Sequence, residues 1–162
     1  MEHVKHEIAP IYDKDSKILI LGSFPSVKSR EANFFYHHPQ NRFWKLLSSL
    51  CGEECPQTVT DKKSFLLRNH IAVWDVIASC EIEGSSDSSI KNVIPNNFQE
   101  LLSTANILQI FCNGTTSYNL YKKHVEKLTA REAIKLPSTS PANAAFSLQK
   151  LEQHWAIIKN YL

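Results

Sequence analysis

Three short apolar runs constrain this chain more than anything else in it: KILILGS at 17–23, IAVWDVIA at 71–78 and ILQIFC at 107–112. Each is continuous rather than alternating, and each is too short for a buried helix. Each therefore predicts a strand covered on both faces. The segments between them carry helical periodicity. Residues 39–50 predict a helix with Phe43, Leu46, Leu47 and Leu50 on one face and Cys51-Gly52 as its stop. Residues 60–69 predict a second, capped by Thr60 and burying Phe65, Leu66 and Leu67. A third opens at Pro95 and runs to 103, a fourth covers 115–127, and the last covers 143–161 with Phe146, Leu148, Leu151, Trp155 and Ile158 inward. A short fourth strand is expected at 132–136, and 83–91 reads as a loop. Buried strands alternating with helices predict a three-layer α/β/α sandwich with a central, mostly parallel four-stranded sheet.

The 162 residues suit one domain, 1–162, with no repeat or low-complexity linker to divide it. No apolar stretch approaches the roughly 20 residues of a membrane helix, and the start, MEHVKHEIAP, has no apolar signal core, so a cytoplasmic protein without a membrane partner is expected. The net charge of +2 permits a polyanion without requiring one. Cys51 and Cys55 have a spacing compatible with a metal, but no matching pair follows, and the four cysteines are expected to be reduced structural thiols.

In a parallel sheet, ligands bind outside the carboxyl ends of the strands. That rule gathers GSFPS, SCEIEGSSDSS, NGTTS and PSTSPANA at one edge. Small hydroxyl residues with glycine or proline make good turns, and they also let backbone N–H groups approach phosphates. Together on one edge they point to an anionic ligand. None is a Walker loop or a dinucleotide fingerprint. The densest stretch is NFFYHHPQNRFW at 33–44, where an aromatic ring can stack on a flat ligand and His37 or His38 can reach a phosphate, while Phe43 and Trp44 belong to the core and Asn41 falls at a helix start, a capping position.

The ordered segments GSFPS, YHHPQNRFW, IFCNG and LPSTSPANA resemble the uracil-DNA glycosylase superfamily, and within it the hypoxanthine-DNA glycosylase (DNA-deoxyinosine glycosylase) branch; mismatch-specific uracil-DNA glycosylases share the HP-x-NRFW pattern. The resemblance spans about residues 17–145. It implies a four-stranded parallel sheet between helices and hydrolysis of the N-glycosidic bond of a deaminated base, most of all hypoxanthine, flipped out of DNA. It also implies no metal or organic cofactor and DNA containing deaminated bases as the partner; a monomer is expected. Most of the superfamily has Asp or Asn at the third position of the first segment, where this chain has Phe24; the amide that matters in the resembled branch falls here at Asn41. Leu136 stands where other branches place a histidine.

Sugar hydrolases commonly use two carboxylates, and no such pair is evident on the expected edge. The expectation is that Asn41 is catalytic, its carbonyl holding the attacking water, and that Asn113 hydrogen-bonds the flipped base unless Asn-Gly merely makes a turn. Tyr36, or else Phe24, stacks on the base, and Ser23 lines the pocket. Ser26, Lys28 and Ser29 are expected at phosphates on one flank, Ser138, Thr139, Ser140 and Asn143 on the other. Asp75, inside an apolar run, is the rival catalytic residue or a structural one, since a buried acid needs a partner. The same fold also admits a uracil glycosylase or an inert nucleic-acid-binding domain.

Overall fold

The computed structural model describes residues 2–162. Its centre is a four-stranded, wholly parallel sheet built from β2 (Ile18–Gly22), β3 (Ile71–Asp75), β6 (Gln109–Asn113) and β7 (Ala133–Leu136), in the spatial order β3-β2-β6-β7. Every residue of β2 is buried because its two faces serve two cores. Ile18 and Ile20 face Phe43, Leu47, Phe65, Leu151 and Trp155, which come from the helices α2 (Phe43–Cys51), α3 (Val59–Arg68) and α7 (Leu148–Trp155). Leu19 and Leu21 face Leu101 of α4 (Gln99–Thr104) and Tyr121 of α5 (Thr115–His124). The period-two alternation of a strand thus feeds both layers, as a continuous apolar run requires.

Several expectations are revised. The run after Ile71 is two strands, not one. The chain leaves the central sheet at Asp75 and re-enters structure as β4 (Ile77–Ile82), the middle strand of a small antiparallel sheet with β1 (Glu2–Lys5) and β5 (Lys91–Pro95). Asn96 holds the switch: its Nδ2 donates to the carbonyls of Asp75 at 2.9 Å and Ile77 at 3.1 Å, and its N–H to that of Val76. The helix expected from Pro95 accordingly starts at Gln99. Thr58, not Thr60, caps α3, accepting the Asp61 N–H at 3.0 Å. The expected C-terminal helix begins only at Leu148, capped by Ser147, and tightens into a 3₁₀ segment at Ala156–Tyr161. Helix 115–127 breaks at Val125 into α5 and the single turn α6 (Glu126–Thr129). A further short helix, α1 (Val27–Ala32), follows GSFPS.

Since β2 connects to β3 on one side while β6 lies on the other, the strand order reverses beside Gly22. All four carboxyl ends open there, which is where a crevice forms in open α/β sheets.

Candidate active site

A cavity of about 330 Å³ occupies that crevice. It is at the small end of ligand pockets, which run from roughly 300 to 1,000 Å³, a scale suited to one nucleobase. Gly22 lines it from the end of β2 and Ser23 from just beyond, Asp75 from β3, Asn113 from β6, Ser138–Ala142 from the loop after β7, and Tyr36, His38 and Asn41 from the stretch before α2. The expected base-pocket residues Ser23, Phe24, Tyr36 and Asn113 therefore do meet, and Asn41 joins them.

Asn41 sits just outside α2, whose first N–H groups lack helical partners. Its Oδ1 accepts the Phe43 N–H at 3.0 Å and the Thr139 hydroxyl at 2.8 Å. Thr139 is fully buried and in turn accepts from Asn113 Nδ2 at 3.0 Å, while its own N–H donates to Asn113 Oδ1 at 3.0 Å. This chain of bonds has one polarity. Because a backbone N–H can only donate, it fixes which end of each amide is oxygen. Both lone pairs of Asn41 Oδ1 are used, so the carbonyl is not free to hold water as expected. The open end is Nδ2, which has no protein partner among the described residues. Asn113 Nδ2 keeps one hydrogen to spare.

Arg42, read in the sequence only as part of a motif, clamps the 138–146 loop against the site. Its guanidinium donates to the carbonyls of Ser140 at 2.8 Å, Asn143 at 3.1 Å, Thr139 and Phe146. Such a fork of donors suits arginine and no other side chain.

On the opposite wall Tyr36 takes a left-handed backbone turn, φ 49°, uncommon for a bulky residue. Its ring stacks on Phe43 at 3.9 Å between centroids, which aims its hydroxyl back at Gly22. One ring face is thus spent on the core. The hydroxyl is buried, with the Asn113 amide beside it but no well-formed hydrogen bond. Burial above all, and then the nearby Asp75 charge, pushes this phenol far above its ordinary range. A Cβ on Gly22 would lie 3.1 Å from the Tyr36 hydroxyl and would collide with Asp75 Oδ1, so glycine is what lets the carboxylate reach the cavity floor.

Asp75 is 3% exposed. Its partner is His6, whose Nε2 lies 2.7 Å from Asp75 Oδ2. A second carboxylate, Asp87, exposed on the rim, accepts from the Ser23 hydroxyl at 3.3 Å. No carboxylate pair is evident at this edge from the sequence. The structure brings one there, from a strand end and from a distant serine-rich loop.

Of the residues expected at phosphates, Lys28 is exposed on α1, and Ser138, Ser140 and Asn143 line the flank of the cavity and the groove beside it. The oxygens of Ser138 and Ser140 accept backbone N–H groups within their own loop, at 3.1 Å each, and their hydroxyl hydrogens are free to donate. Ser26, Ser29 and Thr139 differ from expectation. Ser26 caps α1, Ser29 is buried and accepts the His37 N–H at 3.1 Å, and Thr139 belongs to the amide relay. They frame the site. His38, at the cavity mouth, accepts the Gln40 N–H on Nδ1, leaving Nε2 outward. His6, Arg42, Asp87 and Gly22 went unselected in the sequence because nothing local marks them: each gains its role from a partner about 15 to 100 residues away. Arg42 and Gly22 do stand in the motifs HPQNRFW and GSFPS, but those motifs do not show what either residue meets.

The uracil DNA glycosylase superfamily model matches residues 9–161. Two proteins named hypoxanthine DNA glycosylase are similar over nearly the full length. The one from Methanosarcina acetivorans is 32% identical over 96% of this chain and 98% of its own, and the one from Methanosarcina barkeri is 34% identical over 94% and 96%. The solution NMR structure of a candidate uracil DNA glycosylase from Methanosarcina acetivorans superposes with a TM-score of 0.78 at 30% identity, covering 94% of this chain and 96% of that one. With a family match across nearly the whole chain and a pocket at the same sheet edge the topology demands, this protein belongs to the uracil DNA glycosylase superfamily.

Proposed function

We propose that this protein is a monofunctional DNA glycosylase that removes deaminated bases, hypoxanthine above all, and that Asn41 is its catalytic residue. The observation that carries the reading is the nucleobase-sized cavity whose polar ends are fixed amides, beside a flank of free hydroxyls. A base stacked in a duplex cannot enter such a cavity, so the target nucleotide must be flipped. Its phosphates then lie at the mouth, near Ser138, Ser140 and Asn143 on one flank and Lys28 on the other, with His38 Nε2 between.

Departure of the base leaves an oxocarbenium-like sugar, an electrophile strong enough for neutral water. Asn41 contributes through Nδ2. An N–H donated to water holds the molecule and leaves a second lone pair for attack on C1′; the proton the water then loses is taken up, through solvent, by the base, which left with the bonding pair. The relay through Thr139 keeps the amide from turning, so its position needs no reorganisation during reaction. The spare hydrogen of Asn113 Nδ2 faces the base, and Tyr36 and Phe24 supply apolar walls. Proteins named hypoxanthine DNA glycosylase at 32–34% identity support this substrate. The protein acts as a monomer on DNA in the cytoplasm.

The test is single-turnover cleavage of duplexes carrying one inosine, uracil or xanthine, with abasic sites revealed by alkali. Wild type acts fastest on inosine. Asn41→Ala loses about 100-fold or more, in the range of a positioned catalytic dipole, and stays folded with a melting temperature lowered by the loss of its bonds to Phe43 and Thr139. An active, folded Asn41→Ala protein would end the assignment.

A further inference from the structure

The cavity floor holds one strong acceptor whose direction is fixed from behind. His6 Nδ1 accepts the Ile8 N–H at 3.2 Å, so the imidazole proton that faces Asp75 is on Nε2 and is donated to Oδ2 at 2.7 Å. His6 is itself buried, its side chain 1% exposed. Oδ2 is thereby committed. Oδ1, which no side chain of the described residues bonds, lies under Gly22 against the cavity, close to the Tyr36 hydroxyl.

The sugar and phosphates of a flipped nucleotide stay at the mouth, so what reaches the floor is the edge of the base farthest from the glycosidic bond. In a purine that edge is N1 and C6. Adenine shows an acceptor at N1 and an amino group at C6; deamination to hypoxanthine replaces these with an N1–H donor and an O6 acceptor. An ionised carboxylate only accepts. We propose that His6 and Asp75 form a deamination reader: His6 turns Asp75 so that Oδ1 accepts the N1–H that hypoxanthine has and adenine lacks, with Tyr36 donating to O6. Tyr36 can turn its hydroxyl to suit either base, so the discrimination falls to Asp75. His6, brought in by the N-terminal strand β1, is the positioning residue. The inference rests on the glycosylase reading above.

The geometry dictates an unusual variant. In Asp75→Asn, the His6 N–H still requires an oxygen, so the amide turns its NH2 into the cavity, and the floor changes from acceptor to donor. Asp75→Asn is isosteric, so packing is kept. Rates are read in single turnover on duplexes holding inosine and, separately, 2′-deoxynebularine, a purine whose N1 only accepts. Wild type favours inosine. Asp75→Asn loses about 10- to 100-fold on inosine, the scale of one charge-assisted hydrogen bond, and its preference shifts toward nebularine. Adding His6→Ala to Asp75→Asn frees the amide to present its oxygen, and part of the inosine rate returns. His6→Gln, whose amide N–H can stand in for Nε2–H, keeps wild-type selectivity on the Asp75 background where His6→Ala does not.

A role in folding alone moves both substrates together and gives no recovery in the double variant; either result overturns the reader. Unchanged selectivity in a folded Asp75→Asn protein does so as well, while inosine cleavage by wild type leaves the glycosylase reading standing. Absence of inosine cleavage by wild type ends both.

Discussion

Single atoms decide this site. Gly22→Ala places a methyl group against Asp75 Oδ1 and 3.1 Å from the Tyr36 hydroxyl. Overpacking of this kind costs about 1–3 kcal/mol, and here it falls on the carboxylate that faces the cavity. The expected outcome is a loss of inosine cleavage of at least about tenfold together with a urea midpoint lowered by that destabilisation. Thr139→Val removes the hydroxyl between the two asparagines and leaves buried polar atoms unpaired, at about 1–3 kcal/mol. It should depress both stability and cleavage rate, while Thr139→Ser, which keeps the hydroxyl, restores the rate. Asn41 and Asn113 were legible in the sequence as amides beside a helix start and after a strand. The direction in which the Asn41 amide faces was not, because it depends on Thr139, 98 residues away.

At the scale of elements, the central sheet was readable because continuous apolar runs can satisfy only a strand covered on both faces. The antiparallel sheet was not. β1 is mostly exposed (EHVK) and β5 barely less so (KNVIP), so neither shows an apolar period, and the run through Asp75 hides a change of sheet held by Asn96 and by the Gly22 and Ser23 carbonyls, which accept the Val76 and Ile77 N–H groups. That missed sheet carries His6 to Asp75, which is why the floor of the site was the part least visible in advance. The loop after β7 was seen as a binding segment, yet its clamp was not. Arg42→Lys keeps the charge and loses the fork of bonds to four carbonyls. Amide hydrogen exchange should then speed up in 138–146 with the helices unchanged, and KM for DNA should rise; equal exchange in both proteins would contradict the clamp.

For the whole molecule, the two most strongly raised buried acids dominate an alkaline limit. Burial pushes the Cys112 thiol up to about 12 and raises the Tyr36 phenol further still. Both folded-state values lie above the unfolded ones, so the stability they confer is fully present below about pH 8.5 and is lost as pH rises, because only the unfolded chain releases those protons. Chemical denaturation followed from pH 8 to 11 should show a falling midpoint, flattened in Cys112→Ala and Tyr36→Phe once each is compared with its own neutral-pH value. Function at this scale is a parallel sheet that opens all its strand ends on one crevice, closed behind by a histidine and in front by an arginine-pinned loop. The most direct test of that account is mass spectrometry of an inosine-containing duplex after one turnover. Free hypoxanthine and an intact abasic strand are the expected products; an unaltered strand, or strand scission without free base, would overturn the assignment.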